Sequence, residues 1–425
     1  MMRKLTTITI AFLFVVTVTA SVMEAAYWSG NAGDNDWFNG SNWNGGTVPG
    51  NAATGTGVAA MLGNFSVSNH AIIDGNAAGY EVLNMPGLSL QTQAGNGDEI
   101  QRIDIINGAQ VNLTGGAMEF RMRTGGNAAS IELNISGNSV VDSFMSGTTF
   151  LQSDGGNPNL VARLNLGDAS SGGTFNISNG ANTFGEQQGG SPAIAPMTIQ
   201  GVGAVSRTGG NTVMAMFAAK FVADGWGGAA GRVLDLSSWE GQSRGEQTAG
   251  SDWGFYAQNG AELKLFTVLR NTQYTGVGDQ VWNEGALMDK INGFGVKNSQ
   301  WPPVGVYVSG SVLALDHPDV FPLIDPIGAW NVSGVQMDNT TLSFRYDSAL
   351  AGTLGVTESD LKVFMSGVDV TSSLDTTNHI IYADGLSASQ IASSTFAVAV
   401  GVPEPSALVL LVLAAIGLPM LRLRR

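Results

Sequence analysis

The residues able to do chemistry in this chain are few. Its 425 residues contain three histidines, His70, His317 and His379, and no cysteine. Three scattered imidazoles give neither a catalytic triad nor a three-histidine metal site. The lack of thiols rules out thiol catalysis, cysteine-ligated metals and disulfides. Neither a Gly-x-Ser-x-Gly elbow nor a His-Glu-x-x-His helix, a P-loop or a dinucleotide fingerprint occurs. Carboxylates remain, and the candidates are Asp34 and Asp36 around Asn35, and Asp98 and Glu99 near Arg102. The first group lacks the spaced ligands and terminal glutamate of a calcium-binding hand loop and reads as a solvated turn, and the second as a charged corner. The expectation is a protein that is not an enzyme, with no catalytic residue, no metal and no cofactor.

The chemistry written most clearly is that of a protease substrate. Val402, Pro403, Glu404 and Pro405 precede fifteen apolar residues, Ala407 to Leu421, and then Arg422, Leu423, Arg424 and Arg425. Proline lacks an amide donor and disfavours helix in the residue before it, so the Pro403-Glu404-Pro405 segment is extended, as a protease requires. Fifteen helical residues rise about 22 Å, less than the ~30 Å hydrocarbon core, which suits a transient insertion better than a lasting anchor. The basic cluster Arg422, Arg424, Arg425 places the C-terminus in the cytoplasm and the rest of the chain outside.

This order of triplet, short apolar helix and terminal arginines resembles the PEP-CTERM sorting signal of exported Gram-negative bacterial proteins. The resemblance implies recognition by an exosortase, a membrane protease that would cut near Pro403, Glu404 and Pro405 and release the protein to the surface or extracellular matrix. The other end agrees: Arg3 and Lys4, the apolar stretch Ile8 to Ala20, and small residues at Ala20, Ala25 and Ala26 have the order of a secretory signal peptide. The net charge of −15 makes nucleic acid an improbable partner. Solubility outside the cell is the simpler use of that charge.

The elements between these ends are short strands. Glycine occurs 58 times without a three-residue period. Between the glycines lie alternating segments such as Ile103-Asp104-Ile105, Ile131-Glu132-Leu133-Asn134-Ile135 and Phe175-Asn176-Ile177. Period-two alternation closed by Gly and Asn is a strand-and-turn pattern. Three copies, starting at Ile103, Leu133 and Phe175, share an apolar-Asx-Ile opening and a polar turn, which suggests coils of a parallel β-solenoid. Stacked antiparallel sheets or a β-sandwich would give similar local patterns. In the solenoid, Ile105, Ile135 and Ile177 are expected to point inward in neighbouring rungs, and changes at Asp104, Asn134 and Asn176 to be mild.

Tyr27-Trp28, Trp37, Asn42-Trp43 and Val48-Pro49-Gly50 resemble the opening of bacterial surface β-helix proteins. Trp28, Trp37 and Trp43 would cap the open end of the stack, the alternative being an aromatic platform for glycans. Trp253 to Leu265 is similar to a late rung. Prolines at 318, 322 and 326 suggest a connector, and the strands after it resemble the compact module that serves as a stalk before the anchor in other bacterial surface proteins.

The expected fold is all-β: a right-handed parallel β-helix, then a small β-sandwich-like module and a C-terminal transmembrane sorting helix. Residues 1–26 are read as signal peptide, 27–315 as solenoid, 316–330 as connector, 331–401 as the module and 402–425 as the sorting signal. The expected function is that of a non-enzymatic, exported protein of the cell surface or extracellular matrix, with an inner-membrane intermediate on its route. Its partners would be the exosortase, the membrane transiently through the C-terminal helix, and exopolysaccharide. The alternatives are a carbohydrate-binding adhesin, or a polysaccharide lyase or hydrolase on a pectate-lyase-like solenoid.

Overall fold

The computed structural model describes residues 26–50, 60–62, 68–77, 82–91, 99–114, 118–122, 129–143, 147–153, 160–177, 181–187, 197–207, 213–216, 219–226, 232–238, 240–243, 254–265, 268–269, 280–282, 291–298 and 307–402. The N-terminal segment to Ala25 and the tail from Pro403 to Arg425, with the sorting motif and the basic cluster, lie outside the described residues. Among the described residues no helix is long and apolar enough to cross a membrane.

The body is a β-solenoid. The chain visits three parallel sheets in turn, laying down one strand on each before returning to the first. The first face begins with Ala26–Tyr27 and ends with Glu240–Ser243. The second runs from Asn69–Asp74 through Glu99–Ile106, Ala129–Ile135, Leu160–Leu166, Met197–Gly201 and Ala219–Asp224 to Gly254–Gln258. The third starts at Val82–Met85, and its last parallel strand is Glu262–Lys264.

Alternation decides what each strand buries. On the second face Ala71, Ile103, Leu133, Leu164, Ile199, Phe221 and Phe255 occupy one register column, and all are buried. Each large member of such a column contributes about 1.5–3 kcal/mol through removal from water. The Phe221 and Phe255 rings stack at 5.6 Å. Tight corners follow the second face, where Asn107, Asn138 and Asn259 adopt left-handed backbone at φ 59°, 60° and 56°. Asparagine tolerates that region better than other side chains, which explains the asparagine and glycine at these strand ends.

One register expectation fails. Ile105 and Ile135 pair directly and are fully buried, but the rung partner of Ile135 is Leu166. Ile177 lies on the third face, paired with Ser143 and Arg207. The Phe175 segment imitates the other two because strands of both faces follow the same alternation, so likeness of sequence did not fix which face it joins. True rungs are more regular than the copies suggested: Asp104 meets Asn134 30 residues on, and Asn134 meets Asn165 31 residues on.

At the C-terminal end the pairing changes sense. Glu262–Lys264 pairs antiparallel with Tyr307–Leu313, and the sheet continues through Gly328–Ser333, Thr395–Ala399 and Lys362–Met365. A separate sheet orders Gln280–Trp282, Phe294–Asn298, Thr340–Arg345, Ile380–Leu386 and Ser373–Asp375, all antiparallel. Buried rings join the two sheets: Phe344 lies 4.9 Å from Trp330 and 5.4 Å from Phe396. The helix Ser348–Leu354 starts on an Asp347 cap, and Ala388–Ala392 on a capping box of Ser387 and Gln390.

Candidate functional site

The outward side of the second face carries the densest polar network. Asp104 accepts from Arg102 Nε at 2.8 Å and Nη2 at 2.9 Å, and from Asn134 Nδ2 at 2.5 Å. Its Oδ2 is also 2.8 Å from His70 Nε2. Burial pushes the Asp104 carboxyl up, but the bonds from Arg102, Asn134 and His70 outweigh it and hold the group below the ordinary carboxylate value. The ladder continues as Asn165 Nδ2 donates to Asn134 Oδ1, while Arg163 reaches Glu132 at 3.3 Å. Although these side chains point away from the core, Asp104 is only 9% exposed. The expectation that a change here is mild is therefore corrected, because neighbouring rungs enclose the carboxylate and spend their donors on it.

The third face repeats the arrangement. Asn112 Nδ2 donates to Asn84 at 2.8 Å, Asn176 Nδ2 to Asp142 at 2.7 Å, and Gln110 Nε2 bridges Asn112 and Asp142 at 3.1 and 3.2 Å. Such ladders bind rung to rung through amides. A carboxylate so engaged and ionised has no proton to give as a general acid and little free lone-pair capacity as a base.

The candidate residues from the sequence fall in separate places. Asp34 accepts from Asn39 and Asn42 at 2.6 Å and from the Asp36 amide at 3.1 Å. The Asn39 and Asn42 bonds hold its carboxyl low, and the group organises the N-terminal loop. Arg102 turns to Asp104, not toward a group with Glu99; Asp98 lies outside the described residues. Each histidine has its own acidic neighbour: His70 has Asp104, His317 has Asp319 and His379 has Glu358. Among the described residues no group of three or more His, Asp or Glu side chains is placed to hold a metal ion.

Trp28, Trp37 and Trp43 come together at the N-terminal end, with ring centroids 4.7 to 6.4 Å apart. Trp43 Nε1 donates to the Trp37 carbonyl at 2.7 Å and Trp37 Nε1 to the Pro49 carbonyl at 3.2 Å. All three are at most 2% exposed. Rings so enclosed have no face free to stack on a sugar, and their segment pairs with the first coil through Trp28 N to Met61 O and Trp37 N to Ile72 O.

A cluster near the C-terminus escaped the sequence reading. Tyr346 Oη donates to Glu358 Oε2 at 2.5 Å, and His379 Nδ1 lies 3.1 Å from the same oxygen. Burial, and then the bond to Glu358, pushes the Tyr346 phenol far above its ordinary value. The phenol is 1% exposed, so the cluster ties together the 358–360 turn and the strands on either side. Only tertiary pairing joins these residues, and no local motif could have announced them. Comparison with protein-family models, curated proteins and solved structures finds no match.

Proposed function

We propose that the chain is a non-enzymatic structural protein of the bacterial cell surface or extracellular matrix, exported by its N-terminal segment and sorted by an exosortase. The observation that carries the non-enzymatic part is the fate of the carboxylates along the solenoid: Asp104 and Asp142 are tied into ladders between rungs instead of converging on a groove. Side chains used this way hold a rod together. The export part rests on the two terminal sequences. The antiparallel C-terminal sheets act in this reading as a sandwich-like stalk between the rod and its membrane signal, and exopolysaccharide is the partner outside the cell.

The test is processing in the native host. Replacing Pro403, Glu404 and Pro405 by alanine should leave the chain in the inner-membrane fraction, because the apolar helix still inserts while the protease loses its handle. Intact-mass analysis of the unmutated, released protein should find Arg422 to Arg425 missing. Release of the triple variant at the normal level, or a released protein that keeps those arginines, would defeat the sorting assignment.

A further inference from the structure

One corner of the solenoid carries a residue that its geometry does not require. Trp226 follows the second-face strand Ala219–Asp224, has φ +56° and is 40% exposed. The other described non-glycine residues with positive φ are Asn, Asp, Ser or His, which suit that region far better than a bulky aromatic.

The same corner is built elsewhere without an aromatic. Asp74 Oδ1 accepts from Asn76 N and from Asn107 Nδ2, both at 2.9 Å, and Gly75 N donates to the Ile106 carbonyl. Asp224 Oδ1 accepts from Trp226 N and from Asn259 Nδ2, both at 2.8 Å, and Gly225 N donates to the Gln258 carbonyl. The central glycine is demanded in both, since a Cβ would come 2.5 Å from the Asn107 carbonyl oxygen at Gly75 and 2.0 Å from that of Asn259 at Gly225. The two turns match bond for bond, with asparagine at the third position in one and tryptophan in the other.

The surroundings of Trp226 supply polar groups. Gln258 and Asn259 are exposed on the adjoining rung, both fixed by Asp224, and Lys220 Nζ lies 4.7 Å over the Tyr256 ring on the same outward face. An exposed indole beside anchored amides matches a sugar ring, which offers an apolar C–H face for stacking and equatorial hydroxyls for hydrogen bonds. The net charge of −15 disfavours a polyanion. We propose that the Trp226 corner, with Gln258 and Asn259, is a binding site for a neutral, β-linked hexose polysaccharide.

The choice of a polysaccharide ligand rests on the matrix-protein reading, but the two fail separately, because gel retardation does not depend on processing. The full chain is run by affinity electrophoresis in gels containing mixed-linkage β-glucan, with polygalacturonate as the anionic counterpart. β-Glucan should retard the chain and polygalacturonate should not. Trp226→Asn, which copies the Asp74-Gly75-Asn76 corner, should weaken retardation by about tenfold or more, with a thermal midpoint no lower than that of the unmutated chain. Absence of retardation by β-glucan, equal retardation of the variant, stronger retardation by polygalacturonate, or a lowered midpoint that marks the indole as structural would each overturn the site.

Discussion

Asp104 shows how a single side chain acquires a role from its neighbours. Its lowered pKa means that the folded state binds protons less readily than the unfolded chain. The stabilisation is therefore fully present above the unfolded value of about 3.9 and is lost as pH falls through the lowered folded value. Asn134→Asp tests the ladder at its most sensitive point. It replaces a donor 2.5 Å from Asp104 with a second carboxylate, so two like charges share an enclosed site. The expected cost is about 2–4 kcal/mol at pH 7, and it should shrink toward pH 4 as one carboxyl of the pair takes up a proton. Urea unfolding at both pH values measures it, and a deficit independent of pH would show that the charges do not meet.

At the scale of the strand, stability comes from columns of inward side chains repeated from rung to rung. Ile135 lies between Ile105 and Leu166 in register and is fully buried. Ile135→Ala should cost about 2–5 kcal/mol, combining lost burial with the cavity left between two rungs. The neighbouring Ile105→Ala should cost a similar amount, and the double variant should depart from the sum, because the two cavities share a wall. Chemical denaturation of the three variants decides it. Strict additivity would mean that the two side chains do not pack on each other.

For the whole molecule, the ends of the stack matter most, since a solenoid terminates in an edge that could pair with another chain. Both described ends are covered. Trp28, Trp37 and Trp43 pack over the first coil, and the antiparallel strand Tyr307–Leu313 pairs with the last parallel strand of the third face. Trp37→Ala should remove about 3–5 kcal/mol of packing and expose the first coil, producing concentration-dependent end-to-end association. Light scattering detects this directly. A destabilised but strictly monomeric variant would make the three tryptophans core residues only, without a capping role.

The sequence by itself determined what is local. Alternation of apolar and polar residues marked strands such as Ile131 to Ile135, and Asn or Gly marked the corners, because strand pleat and left-handed turns depend on a few adjacent residues. The meeting of Trp28, Trp37 and Trp43 followed from composition, as large rings near a chain end need a common burial site. Tertiary structure alone decided which strands share a face. Ile177 shares its local pattern with Ile105 and Ile135 yet joins a different sheet, because pairing is set by how much chain each corner consumes. It also decided that Asp104, polar and outward in the alternation, becomes an enclosed hub, and that Tyr346, Glu358 and His379 meet. Their partners lie one rung or one strand away in space and tens of residues away in sequence, a separation that no local pattern encodes.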